Sequence, residues 1–180
     1  MDLDLEKALD EPVDLSQRFD VPAERLQRVE LLSLAPVAFS GRLRRAEPGF
    51  VLDGRLDFDG MVACARCLKP VPFRRTGPVS WVFAPVHERH QPVPDADGET
   101  ELQATDLDVV FYDDFTVPFD PLIDEQVQLE IPMRALCRTE CRGLCPECGA
   151  DRNVAPCTCA PLTDNRWTAL KALRPKDSET

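Results

Sequence analysis

The sequence lacks the features of a membrane-spanning or secreted protein. No run of about 18 apolar residues occurs in it, so no membrane-spanning helix is expected. Its first twelve residues, MDLDLEKALDEP, alternate acids with leucines and so lack the basic and apolar parts of a secretory signal. These absences predict a cytoplasmic protein that does not associate with a membrane.

Recognisable catalytic motifs are also absent. The sequence contains no partnered Ser, His and Asp set, no helical H-E-x-x-H motif and no Gly-rich phosphate loop. Its two histidines, His87 and His90, lie in a segment without apolar periodicity. We interpret them as exposed polar residues, because a structural metal prefers ligands on rigid supports. The sequence therefore predicts no catalytic residues and no small-molecule substrate.

Positive charge is scarce, and it is unevenly distributed. The chain has 21 Lys and Arg residues against 32 acidic ones, a formal net charge of −11. Twelve acids and no bases lie between Asp95 and Glu130, whereas eight bases against four acids lie between Arg42 and Arg75. Phosphate binding needs clustered cations, so a nucleic-acid contact is expected only outside the acidic middle. The acidic middle would either attract a basic protein or serve as a solubilising segment.

A pattern of alternating apolar residues is present from residue 36 to residue 83. Two alternating runs are separated by the turn Glu47-Pro48-Gly49, and further alternation extends to Phe83. The residues on one side of the first two runs are Val37, Phe39, Gly41, Leu43, Phe50, Leu52, Gly54, Leu56 and Phe58. A period of two predicts an antiparallel meander with one buried face.

We predict the fold class as α+β, with an antiparallel β-meander or partly closed sheet, a few helices and a C-terminal cysteine-rich zinc-knuckle segment. Residues 1–35 carry short apolar alternations and a weak helix signal after Asp20, which predicts a segment covering the edge of the core. Residues 36–134 are the main β-rich domain. Within it, residues 84–105 have no apolar period and predict a mobile acidic loop, and residues 109–112 predict another strand.

A helix is predicted near the end of the main domain. Asp120 suits the N-cap position, the proline after it suits the first helical position, and Pro132 limits the helix end. Residues 135–174 are predicted to be a zinc-knuckle appendix with a short helix that starts at Asp164. Residues 175–180 are predicted to be a disordered tail.

Six of the eight cysteines lie in one stretch of 23 residues, Cys137–Cys159. Within it, the run Cys145-Pro146-Glu147-Cys148-Gly149 has the form of a metal knuckle, in which a tight turn directs two thiolates to one point. A tetrahedral structural zinc needs four ligands. The predicted quartet is Cys145, Cys148, Cys157 and Cys159, and Cys141 could replace either of the two later cysteines.

Disulfides are the alternative for a cysteine-dense segment, but they need an oxidising compartment, which the N-terminus does not predict. Four thiolates favour zinc over magnesium or calcium. The same ligands could also hold an iron–sulfur cluster. A closed four-thiolate site leaves no coordination position for water or substrate, so the predicted role of the metal is structural.

Cys64 and Cys67 form a second C-x-x-C pair. They could complete a second zinc site with Cys137 and Cys141, form a redox pair, or be plain buried thiols. A redox pair needs a helix N-terminus after its first cysteine to stabilise the thiolate. The residues after Cys67 are instead typical of a turn back into a strand. The sequence leaves all three interpretations open.

Several arginines between residues 42 and 75 could form a basic face on the predicted meander, and this face could contact RNA phosphates. They are Arg42, Arg44, Arg45, Arg66, Arg74 and Arg75. The alternative interpretation is that these side chains are merely solvated, as charged residues on strands usually are.

Several of these motifs, in this order, resemble one family. They are Cys64-Ala65-Arg66-Cys67-Leu68, a helix ending near Ile131-Pro132, the run from Cys141 to Ala150 with Asn153, Cys157-Thr158-Cys159, and Asp164-Asn165-Arg166-Trp167 followed by Leu170 and Leu173. Over about residues 36–174 the chain resembles the YceD family, the large ribosomal RNA subunit accumulation proteins. Asn165 stands where the family often has proline, and this departure leaves the predicted helix start intact.

The resemblance implies a bacterial cytoplasmic protein that supports the synthesis, processing or stability of large-subunit (23S) ribosomal RNA, with no known catalytic activity. Family members differ in whether they carry the C-terminal cysteines, which implies that the zinc segment is a stabilising appendix. The expected partner is large-subunit rRNA, contacted by the basic face, or a basic ribosomal protein, contacted by the acidic middle. The alternative function is a thiol-based redox switch or enzyme that uses Cys64 and Cys67.

Overall fold

The fold is built on a six-stranded mixed sheet. The computed structural model describes residues 1–47, 49–88, 109–159 and 166. The strands in these ranges are β1 (Asp2–Asp4), β2 (Val13–Phe19), β3 (Leu31–Leu34), β4 (Val37–Ala46), β5 (Gly49–Ala63), β6 (Pro70–Pro85), β7 (Val109–Tyr112) and β8 (Thr116–Pro118). The helix α1 spans Phe119–Glu130, and short 3-10 turns span Glu6–Ala8, Ala23–Leu26 and Val86–Glu88.

The centre of the sheet is the antiparallel meander of β4, β5 and β6. β5 is 15 residues long, so β4 pairs with its first part and β3 with its last part. β2 extends the sheet beside β4, and β7 joins β6 in parallel. β1 and β8 form a separate two-stranded sheet. The α+β class and the meander are confirmed, whereas the parallel strand makes the sheet mixed.

The hydrophobic core lies between one face of the sheet and α1. The large apolar residues predicted to share one face of β4 and β5 are all buried: Val37, Phe39, Leu43, Phe50, Leu52, Leu56 and Phe58. Phe119 of α1 packs against Phe19, Phe39 and Trp81, with ring centroids 5.5, 5.2 and 5.5 Å away. Pairs of this edge-to-face kind stabilise a core beyond their buried area. We call the face that they cover the inner face, and the opposite face the outer face.

Two glycines on the inner face make room for the ring of Phe39. Gly41 and Gly54 pair with each other across β4 and β5. A Cβ atom at Gly41 would lie 2.6 Å from Cζ of Phe39, and one at Gly54 would lie 2.5 Å from its Cε2. The two glycines of the alternating pattern therefore mark the place where an aromatic ring lies close to the backbone.

We expect Gly54→Ala to lower the free energy of unfolding by about 1–3 kcal/mol, the usual range for overpacking a core. The added methyl group would also lie 2.8 Å from the carbonyl oxygen of Ser40, which β-pairing holds in place. Urea unfolding measures the change. Gly77→Ala is the matched control, because nothing lies within 4 Å of its Cβ position, and it should be neutral or slightly stabilising. Equal losses in both variants would contradict this explanation.

Residues 1–35 contribute strands to the sheet in addition to covering the core. β2 pairs with β4 along its full length of seven residues. Leu3, Leu5 and Leu26 of this segment are buried. The weak helix signal after Asp20 corresponds to the 3-10 turn Ala23–Leu26. This segment is therefore part of the sheet itself.

The start of α1 lies two residues before its predicted position. The helix begins at Phe119, because Pro118 has extended backbone and occupies the N-cap position predicted for Asp120. The helix ends as predicted, since Ile131 before Pro132 has extended backbone, as a following proline favours. No helix within the described ranges is long and apolar enough to span a membrane.

The strand before the predicted loop 84–105 is longer than expected. β6 runs to Pro85, and the 3-10 turn Val86–Glu88 follows, so the first residues of that loop have regular structure. The rest of the loop lies outside the described residues, as do the predicted helix from Asp164, apart from Arg166, and the tail 175–180.

Candidate metal centres

The eight cysteines lie in two groups of four. Centre A is formed by Cys64, Cys67, Cys137 and Cys141, and centre B by Cys145, Cys148, Cys157 and Cys159. All eight are free thiols, and within each group the four sulfurs lie within 4.8 Å of one another. Both groups could therefore hold a metal ion.

The two groups show which cysteines lie together, a point that the sequence left open for Cys141 and for the pair Cys64 and Cys67. Centre B consists of the four residues of the predicted quartet, and Cys141, named above as a replacement, lies in centre A. Centre A has the membership proposed for a second zinc site. Metal binding by these residues stays a prediction and is taken up below.

The turn between β5 and β6 directs Cys64 and Cys67 to one point. The N–H of Cys64 donates to the carbonyl of Lys69 at 2.9 Å, and the N–H of Leu68 donates to the carbonyl of Cys64 at 3.0 Å. Leu68 has a φ of 61°, in the left-handed region that strains a residue with a Cβ atom. The chain then enters β6, so Cys64 is not followed by the helix N-terminus that a redox pair needs.

The second C-x-x-C pair forms the same turn. The N–H of Cys145 donates to the carbonyl of Ala150 at 2.8 Å, and the N–H of Gly149 donates to the carbonyl of Cys145 at 2.9 Å. Gly149 has a φ of 71°, which glycine adopts without strain. The two turns therefore present their cysteines in equivalent ways.

Centre A joins the sheet to the chain that follows α1. The sulfurs of Cys64 and Cys141 are 3.9 Å apart, and those of Cys67 and Cys137 are 3.5 Å apart. These pairs are separated by 77 and 70 positions in sequence. A metal ion at centre A would therefore cross-link two distant parts of the chain.

Arg66, between the two cysteines of the first turn, anchors the returning chain. Its Nη1 donates to the carbonyl of Cys141 at 2.7 Å, and its own carbonyl accepts the N–H of Leu144 at 2.9 Å. Gly143 passes so close that a Cβ atom would lie 2.7 Å from the carbonyl oxygen of Arg66, and its φ is +72°. Arg66 therefore has a structural role inside the centre.

One thiol in each centre is stabilised as a thiolate by backbone amides. Burial raises the pKa of Cys64, but the N–H groups of Arg66, Cys137 and Cys67 outweigh burial and lower this pKa to about 6. The N–H of Cys137 donates to the Cys64 sulfur at 3.4 Å. In centre B, backbone N–H groups of its own turn lower the pKa of Cys145 to about 6.

Another thiol in each centre resists ionisation. The Cys67 side chain raises the pKa of Cys137 to about 12, and the Cys148 side chain raises the pKa of Cys159 to about 12. Thiolates this close repel one another, and a divalent cation would remove the repulsion. The donor sets of both centres therefore fit a soft divalent cation.

The arginines predicted to form a basic face lie in different places. Arg42, Arg44 and Arg74 lie on the outer face, each paired with an aspartate of a neighbouring strand at N···O distances of 2.7, 3.2 and 2.8 Å. Arg75 donates its Nε to the last carbonyl of α1 at 2.9 Å. Arg45 is exposed near the end of β4. The six arginines therefore do not share one face, and the outer face carries both charges.

The acidic middle is described only from residue 109 onwards. Asp124 of α1 pairs with Arg25 at 3.1 Å, and burial raises its pKa. Asp120 binds the N-terminal amine. Both acids therefore form ion pairs within the fold. Of the histidines, His87 lies in the 3-10 turn after β6 and is exposed, and His90 lies outside the described residues.

Two polar residues beside the centres were missed as site residues. Asn153 donates its Nδ2 to the sulfur of Cys141 at 3.5 Å, and Asp151 accepts a bond from Nζ of Lys69 at 2.7 Å. The available signal was the spacing of Asp and Asn two positions apart in the loop between the cysteine pairs. Asn153 was named above as part of the family motif, without a role in either centre.

Residues 52–174 match the family described as Large ribosomal RNA subunit accumulation protein YceD. An uncharacterized protein of Mycobacterium bovis is 28% identical over 139 residues, which is 77% of this chain and 62% of that protein. One of Mycobacterium leprae is 25% identical over 150 residues, 81% of this chain and 64% of that protein.

A plant protein is also similar. The Large ribosomal RNA subunit accumulation protein YCED homolog 1, chloroplastic, of Zea mays is 30% identical over 144 residues, 67% of this chain and 49% of that protein. The chain spans less than two thirds of the length of these three relatives. No solved structure matches it. Because the family match extends over residues 52–174 and includes both C-x-x-C turns, the chain belongs to the YceD family of large ribosomal RNA subunit accumulation proteins.

Proposed function

We propose that this protein is a non-enzymatic factor that supports the synthesis, processing or stability of large-subunit (23S) ribosomal RNA. The observation that carries the proposal is the family match over residues 52–174, supported by the name of the Zea mays relative. The proposed place of action is the bacterial cytoplasm, where ribosomes assemble.

The proposed role of the two cysteine centres is to hold one structural zinc ion each. Eight thiolate ligands in two tetrads favour zinc over magnesium or calcium. A site closed by four thiolates leaves no position for a substrate. Zinc would supply two cross-links that hold residues 135–159 together and against the turn between β5 and β6.

The proposed partner is large-subunit rRNA, contacted through the arginines of the outer face and through Arg45 at the end of β4, whose position in the strand is opposite Phe50. The ion pairs of Arg42, Arg44 and Arg74 are exposed, and pairs of this kind contribute little, so phosphate can displace the aspartates. Within residues 1–47, 49–88 and 109–159, Arg45 forms no ion pair, which makes it the first candidate. Arg66 and Arg75 bind backbone carbonyls and are assigned a positioning role.

Crosslinking in living cells tests this proposal. The tagged protein is recovered after crosslinking, with and without nuclease treatment, and the bound RNA and proteins are identified. We expect large-subunit rRNA fragments, reduced several-fold by the double substitution Arg44→Gln and Arg45→Gln. Arg152→Gln is the matched control, because this exposed arginine lies in the loop of centre B.

The other outcomes are equally informative. A loss of crosslinks in Arg152→Gln alone would move the RNA contact from the sheet to the cysteine-rich segment. A basic ribosomal protein that survives nuclease would favour the acidic middle as the contact surface. Recovery of neither rRNA nor a ribosomal protein would overturn the proposal.

A further inference from the structure

Asn153 lies in the loop of centre B but its side chain contacts centre A. Its Oδ1 accepts bonds from the N–H of Arg142 and from Nη2 of Arg138, both at 2.8 Å. Because these two groups can only donate, they fix which end of the amide is oxygen. Nδ2 therefore points to the sulfur of Cys141 at 3.5 Å and to Oδ1 of Asp151 at 2.7 Å.

A second contact joins the same loop to the other half of centre A. Oδ2 of Asp151 pairs with Nζ of Lys69 at 2.7 Å. The carbonyl of Lys69 accepts the N–H of Cys64, so this residue closes the first C-x-x-C turn. Asp151 and Asn153 thus connect one loop to both chain segments that supply the cysteines of centre A.

Backbone bonds hold this loop in place from the side of centre A. The N–H of Arg152 donates to the carbonyl of Gly143 at 2.9 Å, and Leu144 and Asp151 form an isolated β-bridge. The loop itself runs from Cys148 to Cys157, two members of centre B, so an ion at centre B would fix both of its ends.

We propose that the two centres bind metal cooperatively, with the loop of centre B acting as a shared support and Asn153 carrying the coupling. The proposal rests on the metal binding proposed above. An ion at centre B holds the loop so that the Asn153 amide can donate to the sulfur of Cys141. Without that ion, the loop and this hydrogen bond would have to become ordered when centre A binds its own ion. Partners that orient metal ligands in this way commonly change metal affinity by about 10- to 100-fold.

Coupling between two sites is reciprocal, so its size follows from equilibrium measurements alone. One variant blocks centre A by Cys64→Ser with Cys67→Ser, and another blocks centre B by Cys157→Ser with Cys159→Ser. Zinc affinity is measured by competition with a chelator in each variant and in the unblocked chain. We expect the product of the two dissociation constants of the unblocked chain to be about 10- to 100-fold smaller than the product of those of the two blocked variants.

Asn153→Ala is introduced into the unblocked chain and into both blocked variants. It should bring the ratio of the two products of dissociation constants close to one. It should leave the affinity of centre B unchanged when centre A is blocked. Arg152→Ala is the control from the same loop, because its side chain makes no hydrogen bond or ion pair within the described ranges, and it should leave the ratio unchanged.

Native mass spectrometry of the unblocked chain gives a second measurement that needs no cysteine substitution. Cooperative binding predicts that the one-zinc species falls below its statistical share at half saturation, and that Asn153→Ala restores that share. Two ions bound independently, with no effect of Asn153→Ala, would overturn the coupling but leave the zinc proposal intact. Absence of bound metal would overturn the zinc proposal itself.

Discussion

Removal of metal with a chelator is expected to release residues 135–159 from the sheet while β2 to β7 stay folded. Among the described residues, the buried side chains of centre A are Cys64, Cys67 and Cys141, and the partly buried hydrophobic residues packed against them are Val71, Leu136 and Leu144. So little apolar burial cannot hold a segment of this length by itself. Structural zinc contributes an apparent binding free energy of about 10–16 kcal/mol in small zinc domains, so its loss dominates local stability.

Tryptic cleavage and metal analysis check this result together. Protein purified without chelator should contain near two zinc ions per chain, and trypsin should then cut slowly after Arg138 and Arg142. After chelation, cleavage at these arginines should rise by at least about tenfold, the expected sign of local unfolding. Urea unfolding of the core should change much less. Restoring zinc to the chelated protein is the control and should restore protection.

Two outcomes would contradict this expectation. Protein that contains no metal and has all eight thiols free would defeat the zinc proposal. Protein that loses its zinc without any change in cleavage would mean that residues 135–159 are held by contacts other than the two centres. An iron–sulfur cluster would be recognised by its absorbance and by iron in the metal analysis.

Replacing Phe119 with alanine is expected to lower the free energy of unfolding by about 3–5 kcal/mol, the range for deleting a buried aromatic ring. Phe119 is 0% exposed and contacts rings from β2, β4 and β6. Its N–H also donates to the carbonyl of Met1 at 3.0 Å, so the residue lies where the N-terminus, the sheet and α1 meet. A loss of this size is a large part of the usual total of about 5–15 kcal/mol.

Urea unfolding of the metal-loaded protein measures this loss. Leu129→Ala is the matched control, because Leu129 also lies on α1 but is 73% exposed, and its change should stay within about 0.5 kcal/mol. A loss below about 1 kcal/mol in Phe119→Ala would show that the surrounding rings close the cavity, which would contradict the assignment of this residue to the centre of the core.

Much of the sheet could be predicted from the sequence because a period of two is a local property. Each strand of the meander buries alternate residues, so β4, β5 and β6 and their inner face followed from the spacing of apolar side chains. The partners of β2 and β7 depend on contacts between residues far apart in sequence. β7 pairs with β6 in parallel, and nothing in its own four residues indicates whether the pairing is parallel or antiparallel.

The charge of the outer face could likewise not be predicted from the sequence of each strand alone. Alternation places Arg42, Arg44 and Arg74 on one side of the sheet, which suggested a basic surface. The pairing of the strands then brings an aspartate beside each arginine, so that the surface carries both signs. Which charges become neighbours is a property of strand register, and register is set by the whole sheet.

The cysteine spacing by itself determined the two tight turns, because each C-x-x-C turn closes through hydrogen bonds within six residues. It also determined that Cys145, Cys148, Cys157 and Cys159 could meet, since short loops join them. Only the tertiary structure decided that Cys137 and Cys141 belong with Cys64 and Cys67, and that Asn153 reaches across to Cys141. The physical reason is that 70 and 77 positions separate the paired cysteines of centre A, so the folded sheet and α1 bring them together and no local preference does. Asn153 is only 12 positions from Cys141, but its side chain reaches that sulfur through the fold of the loop between the two centres.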